Sequence, residues 1–181
     1  SVLGIDAQDG QVRLSVSTGS GIGDEPGPLL KTAEGGSLTD AMTALAEGSS
    51  GEDLLYSHVQ YLVLGEEAAI TALRPILDYI ERSPEMRADT PLFVVKGGTA
   101  QALVTGTGGG SYDLSAVLAA LEREAKNTGR SQVYSCRDLA RQLARSGSGL
   151  ISALDTEDLT ELSRNMEGEK PLTAKAAGYC V

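Results

Sequence analysis

The chain is 181 residues long and 41% hydrophobic, has no Trp and a single Phe, and carries a formal charge of −10. That length and apolar content suffice for one sizeable core or two small ones, and the interior must be assembled from Leu, Val, Ile and Ala. The acidic balance argues against a sequence-independent nucleic-acid binder, which needs a basic surface, and against unaided binding to an anionic membrane; no run of about 18 apolar residues exists to span a bilayer.

In chain order, Val2 to Ile5 and Val12 to Thr18 have the composition of two strands joined by Asp9-Gly10, a hairpin turn whose residues both tolerate positive φ. Val12, Leu14 and Val16 alternate with Arg13, Ser15 and Ser17, so the second strand has one buried face. Gly19 to Pro28 reads as a loop. Lys31 to Glu34 suits a short strand, and Ser37 suits the N-cap of a helix running to about Ala46, with Asp40 in its first turn.

After a Gly/Ser break at Gly48 to Gly51 comes the stretch expected to organise the fold. Two apolar runs, Leu54 to Leu64 and Pro91 to Val95, flank a segment in which Ile70, Leu73, Ile76, Leu77 and Ile80 recur at helical spacing. Strand, crossover helix and strand predict a βαβ unit with parallel strands. Pro75 inside the helical pattern predicts a kink or restart there. Pro84 biases Ser83 away from helix and ends the element; Glu85 and Arg87 are placed to reach back to Arg82 and Asp78 and fix the return.

Thr99 to Val104 predicts one or two helical turns, and Thr105 to Ser111 a glycine-rich connector. Asp113 caps a helix with Leu114, Val117, Leu118 and Leu121 on one face, ending at Gly129. Gln132 to Tyr134 is a strand candidate, Ser135 caps a helix from about Arg137 to Arg145, Thr156 to Met166 is helical, and Leu172 to Val181 is a final strand. The order predicts one mixed α/β domain over residues 1–181: a central mixed β-sheet containing the βαβ unit, with helices packed on it.

Candidate chemistry is sparse. Gly19, Gly21 and Gly23 follow a strand but precede DEPGP where a dinucleotide site needs a helix N-terminus. Gly106 to Gly110 precedes a helix but lacks the Lys-Ser/Thr pair of a P-loop. His58, the only histidine, is expected in the first strand of the βαβ unit and has no GxSxG partner motif. Glu66 and Glu67 suit the positive end of a helix dipole. Cys136 and Cys180 have no metal-ligand spacing and read as unpaired thiols. Catalytic residues, cofactor and metal are therefore all expected to be absent. The competing expectation is a small-ligand-binding or enzymatic α/β domain using the glycine-rich loops and His58.

Taken in order, LGID, YSHVQYLVLGEE, LDYIERSPEMR, FVVKGG, NTGRS and AGYCV resemble the N-terminal domain of the Ger(x)C family, the lipoprotein C subunits of spore nutrient-germinant receptors. The residues carrying the resemblance include Tyr56, His58, Gly65, Glu66, Asp78, Arg82, Pro84, Glu85, Arg87, Lys96 and Gly97. Departures are the acidic Glu52 and Asp53 before Tyr56 and the glycine content of Thr105 to Ser111. The resemblance implies a mixed α/β domain forming the N-terminal part of a longer lipoprotein. It implies a non-enzymatic subunit, held by an N-terminal lipid anchor on the outer face of the spore inner membrane and acting beside two membrane-integral receptor subunits. The abrupt start on VLGID and stop in AKAAGYCV agree with a piece of a longer chain.

Overall fold

The computed structural model describes residues 1–17, 30–47, 58–108, 113–129, 132–155 and 177–180. In chain order the elements are β1 (Val2–Gln8), β2 (Gln11–Ser17), β3 (Leu30–Gly35), α1 (Leu38–Glu47), β4 (Tyr61–Gly65), α2 (Glu66–Thr71), α3 (Leu73–Arg82), β5 (Leu92–Val95), α4 (Ala100–Gly108), α5 (Leu114–Thr128), α6 (Cys136–Ser146), β6 (Leu150–Leu154) and β7 (Ala177–Cys180). The strands form one mixed sheet in the order β3-β2-β1-β4-β5-β6-β7. Strands β1, β4, β5 and β6 are parallel; β2, between β1 and β3, and β7, beside β6, run antiparallel to their neighbours.

The first hairpin closes through Asp9 at φ 52° and Gly10 at φ 76°, the paired positive values whose twist matches that of the strands. The alternation in β2 sends Leu14 and Val16 into the core beneath α1. Strands β4 and β5 are buried on both faces, which is why YLVLG and LFVV read as continuous apolar runs and not as alternating ones.

Helices cover both faces. On one, α1, α2, α3 and α6 pack over Leu3, Ile5, Leu62, Leu64, Leu92 and Val94. On the other, α4 and α5 pack over Val2, Tyr61, Val63, Phe93 and Val95. The result is a three-layer α/β/α sandwich, and the predicted βαβ unit is present as β4, α2–α3 and β5, with Leu62 opposite Leu92 and Gly65 opposite Val95.

Several expectations change in detail. The first strand of that unit begins at Tyr61, so His58 lies ahead of it, in a turn and exposed. Ile70 does not join the inward stripe: it is 66% exposed, while Leu73, Ile76, Leu77 and Ile80 are buried. The cause is a break at Ala72, whose φ and ψ of −126° and 7° shift the helical phase, so that α2 buries Ala68 and Ala69 instead. The predicted restart is present, with Pro75 in the first turn of α3, where its missing N–H is one of the helix's unpaired donors and no bond to the Thr71 carbonyl is required. Helix α4 runs on to Gly108 through part of the stretch expected to be a connector.

Gln132 to Tyr134 is irregular, contributing the Tyr134 carbonyl to Leu92 N, and a single bridge joins Pro91 to Ser135. Leu150–Leu154 forms a further strand, β6, for which the sequence pattern carries no signal. Strand β7 falls within the predicted final strand. Gly19 to Pro28, Gly48 to Gly51, Tyr56 and Thr156 to Met166 lie outside the described residues.

Predicted caps are present. The Ser37 hydroxyl accepts from Asp40 N at 3.1 Å, Asp113 accepts from Ser115 N at 2.8 Å, and Gly129, at φ 63°, ends α5.

Candidate functional site

The residues singled out from the sequence fall into three groups. The first lies at the carboxyl ends of the parallel strands, the edge at which open α/β sheets commonly present their functional groups. Asp6, just past the point where β1 stops pairing with β4, is buried, and its two carboxylate oxygens accept from Ala100 N at 2.7 Å and Gln101 N at 2.8 Å. It thus caps α4 from across the sheet. Burial raises its pKa, against the opposing effects of the two N–H bonds and of Arg13.

Gly65, the last residue of β4, faces this carboxylate: a Cβ here would overlap Asp6 Oδ1 and come within 3.4 Å of Ala100 N. Glu66 follows, accepting from Gly97 N at 3.1 Å through Oε2 while its own N–H donates to Gly98 O at 3.1 Å. Gly97 adopts φ 67°, a value favourable to glycine. Lys96 is exposed, although its N–H is tied to Leu154 O at 3.0 Å. Arg13 completes the rim, bonded to Glu34 at 2.6 Å and Gln101 at 2.9 Å. The resemblance named Gly65, Glu66, Lys96 and Gly97 without grouping them and gave no sign that Asp6 lies against Gly65; the lone acid ending the apolar run VLGID was its only mark.

The second group is the end of α3. Arg82 pairs with Asp78 one turn earlier, through Nη2 at 2.6 Å to either oxygen, at side-chain exposures of 76% and 56%. Pro84 and Glu85 are exposed. The expected return of Glu85 and Arg87 to Arg82 and Asp78 is not formed: Arg87 bonds Asp89 at 3.0 Å. The turn is held instead by Met86, which is buried in the core between the two exposed charges, and by Cys136 N donating to Thr90 O and Arg137 N to Ala88 O. Arg-x-Pro-Glu-x-Arg places its charges outward because the residue between Glu85 and Arg87 is the one that packs.

The third group lies at the opposite, amino ends of the strands. His58, Gln60, Arg87, Asp89 and Glu122 line an open groove of about 470 Å³ with Ser1. The Ser1 hydroxyl donates to the backbone carbonyl of His58 at 2.8 Å, not to its ring, so the pair is not a nucleophile–base contact. Tyr61 OH donates to Glu122 Oε2 at 3.1 Å; burial, then the neighbouring Glu122 carboxylate, pushes the phenol up to about 12. Glu122 also receives Lys126 at 2.7 Å. Burial likewise pushes the Cys136 thiol up to about 12, which leaves it without nucleophilic thiolate near neutrality.

The structure sets Gly65 against Asp6 and Gly97 against Glu66 at one edge of the sheet, and His58 and Arg87 on one groove at the other, but it does not unite the two. Apart from the exposed Glu85, each described carboxylate at these sites is engaged by a backbone donor or a cation. Among the described residues no group of three or more His, Cys, Asp and Glu is arranged to hold a metal ion, and no helix is long and apolar enough to cross a membrane.

A mixed-sheet α/β/α sandwich whose conspicuous charged residues are mostly on its rim defines the class of protein. Comparison with protein families supplies the particular one: the model described as spore germination protein N-terminal domain matches residues 1–156. The chain belongs to that family, as the N-terminal domain of the Ger(x)C germination proteins. No curated protein and no solved structure matches the chain. Membership gives the chain a role in spore germination, in the setting of the germinant receptors.

Proposed function

We propose that this domain is a non-catalytic part of a germinant-receptor subunit and acts in nutrient-triggered germination through contacts with the two membrane-integral subunits. A lipid anchor N-terminal to the domain holds it on the outer face of the spore inner membrane. The observation that carries this reading is the family match together with the disposition of charge. The buried carboxylate, Asp6, is consumed in capping a helix, whereas His58, Asp78, Arg82, Glu85, Arg87 and Lys96 are exposed and so available to another protein.

The test is affinity isolation of the tagged full-length protein from detergent-solubilised spore membranes, paired with germination assays of spores lacking this domain. Recovery of both membrane subunits and a lost nutrient response are expected. Recovery of neither, with an unchanged response, overturns the proposal.

The groove around His58 and Arg87 favours a second reading, a small-ligand site. A thermal-shift screen of the isolated chain with amino acids, sugars and nucleotides separates the two. A ligand at a hundredfold excess over its Kd adds about 2.7 kcal/mol, an easily visible shift, and such a shift would favour this second reading.

A further inference from the structure

Helix α6 carries Arg137, Arg141 and Arg145 at intervals of four residues, and all three are exposed. Cys136 and Leu139 are buried, with Ala140 and Leu143 packed against the same core, so the arginines line the opposite, outward side. With a rise of 1.5 Å per residue the row spans about 12 Å, in steps of about 6 Å.

Among the described residues no ion pair accounts for it. Arg13, Arg82, Arg87 and Lys126 each have a carboxylate partner, whereas none of the three α6 arginines has a side-chain partner among the described residues. The nearby described acids are already engaged: Asp138 accepts from the Ser135 backbone N–H and hydroxyl, Asp89 holds Arg87, and on the neighbouring α3 Asp78 holds Arg82. Asp138 and Asp89 lie within the arginines' electrostatic reach without forming ion pairs. The row also works against its own helix. Like charges four apart repel, and Arg137 stands in the first turn, where the helix dipole disfavours a cation. Only Arg145, in the last turn, is favourably placed.

We propose that this row is a docking surface for an acidic segment of a partner protein, with carboxylates spaced about 6 Å apart, as on one face of a helix. Arginine forks suit carboxylates and phosphates alike, so charge distribution must choose the partner. The chain has 25 acidic residues against 15 Lys and Arg. A body of that charge is repelled by an extended polyanion such as a bilayer surface or nucleic acid. A short acidic segment meets the row locally, within a Debye length of about 8 Å, and matches its span. The inference rests on the receptor-subunit reading and adds the surface through which such a subunit would be held.

Two measurements test it, on the wild type, on Arg137→Gln/Arg141→Gln/Arg145→Gln and on the corresponding triple Lys variant. The first is anisotropy of a labelled helical peptide bearing Glu at positions i, i+4 and i+8, at low and high salt, with flotation on phosphatidylglycerol vesicles alongside. The Gln variant should melt as the wild type does and bind the peptide at least about tenfold more weakly, with the salt dependence lost and the Lys variant intermediate. Equal peptide binding by wild type and Gln variant overturns the proposal, as does vesicle binding that the Gln substitutions abolish while peptide binding persists. The second measurement is recovery of the membrane subunits with the full-length protein from spores, expected to fall by a similar factor in the Gln variant. Undiminished recovery overturns the inference and leaves the receptor-subunit reading standing. If the wild type itself recovers no subunits, that reading fails, and the row stands or falls on the peptide measurement.

Discussion

At the carboxyl ends of the parallel strands Asp6 caps α4 from 94 residues away in sequence, while near the amino end of β5 Ser135 and Asp138 cap α6 within its own first turn. Both arrangements place a carboxylate at a helix N-terminus, yet their titrations move in opposite directions. Burial dominates at Asp6 and raises its pKa. At the more solvated Asp138, the bonds from the Ser135 hydroxyl and N–H dominate and lower it. The same helix-end contact is thus a long-range fastening in one place and a local stop signal in the other.

Gly65→Ala strikes the long-range cap hardest. The new methyl must displace a carboxylate fixed by two N–H donors, and a loss of about 3 kcal/mol is expected in denaturant melts, the upper end of the range for overpacking. The damage should be non-additive with Asp6→Ala, because the obstructing oxygen is then gone; a purely additive cycle would show that the two residues do not meet. Asp6→Ala alone leaves the Ala100 and Gln101 amides without their acceptor and should cost about 2 kcal/mol. At the local cap, Ser135→Ala should cost about 1 kcal/mol.

The comparison also has a pH signature. With the Asp6 pKa raised above its ordinary 3.8, the native state keeps a proton that the unfolded chain has released. Stability therefore falls as pH rises from about 3.8 through the native value, and Asp6→Ala should flatten that slope. Asp138, lowered from 3.8, contributes above that pH, and its contribution is lost as pH falls through the native value. Melts of Ser135→Ala below pH 4 should show a shallower acid loss. The smallest effect is expected at Glu85→Ala and Arg82→Ala, each within about 0.5 kcal/mol, since one side chain is exposed without a bond and the other forms a solvated ion pair.

The contrast explains what the sequence disclosed. Local devices were legible: the Asp9-Gly10 turn, the alternation in β2, and the caps at Ser37, Asp113, Ser135 and Gly129 each involve residues within a few positions of one another. The βαβ unit was legible because two apolar runs and a helical stripe encode it directly. Features decided at long range were not. Asp6 gave no hint of its partners in α4. The extension of α4 to Gly108 overrode poor glycine helix propensity, in a helix that meets β1 where Gly4 lies beside Ala100 and Val104. An apolar run from Leu54 to Leu64 did not say where the strand begins, and so put His58 in the sheet when it borders a groove. LISAL was too short to stand out after Gly147-Ser148-Gly149. Of the candidate residues, the spacing showed that charges gather after α3, but only packing shows that Met86 anchors the turn and that Arg87 faces Asp89.

Strand β1 lies well inside the sheet, hydrogen-bonded to β2 on one side and to β4 on the other. During synthesis its hairpin partner emerges at once, whereas β4, beginning at Tyr61, follows only after some forty further residues. Until then Val2 to Ile5 present an open row of peptide groups, the kind of edge on which stray chains can assemble. The ribosome thus delivers an inner strand long before the neighbour that seals it.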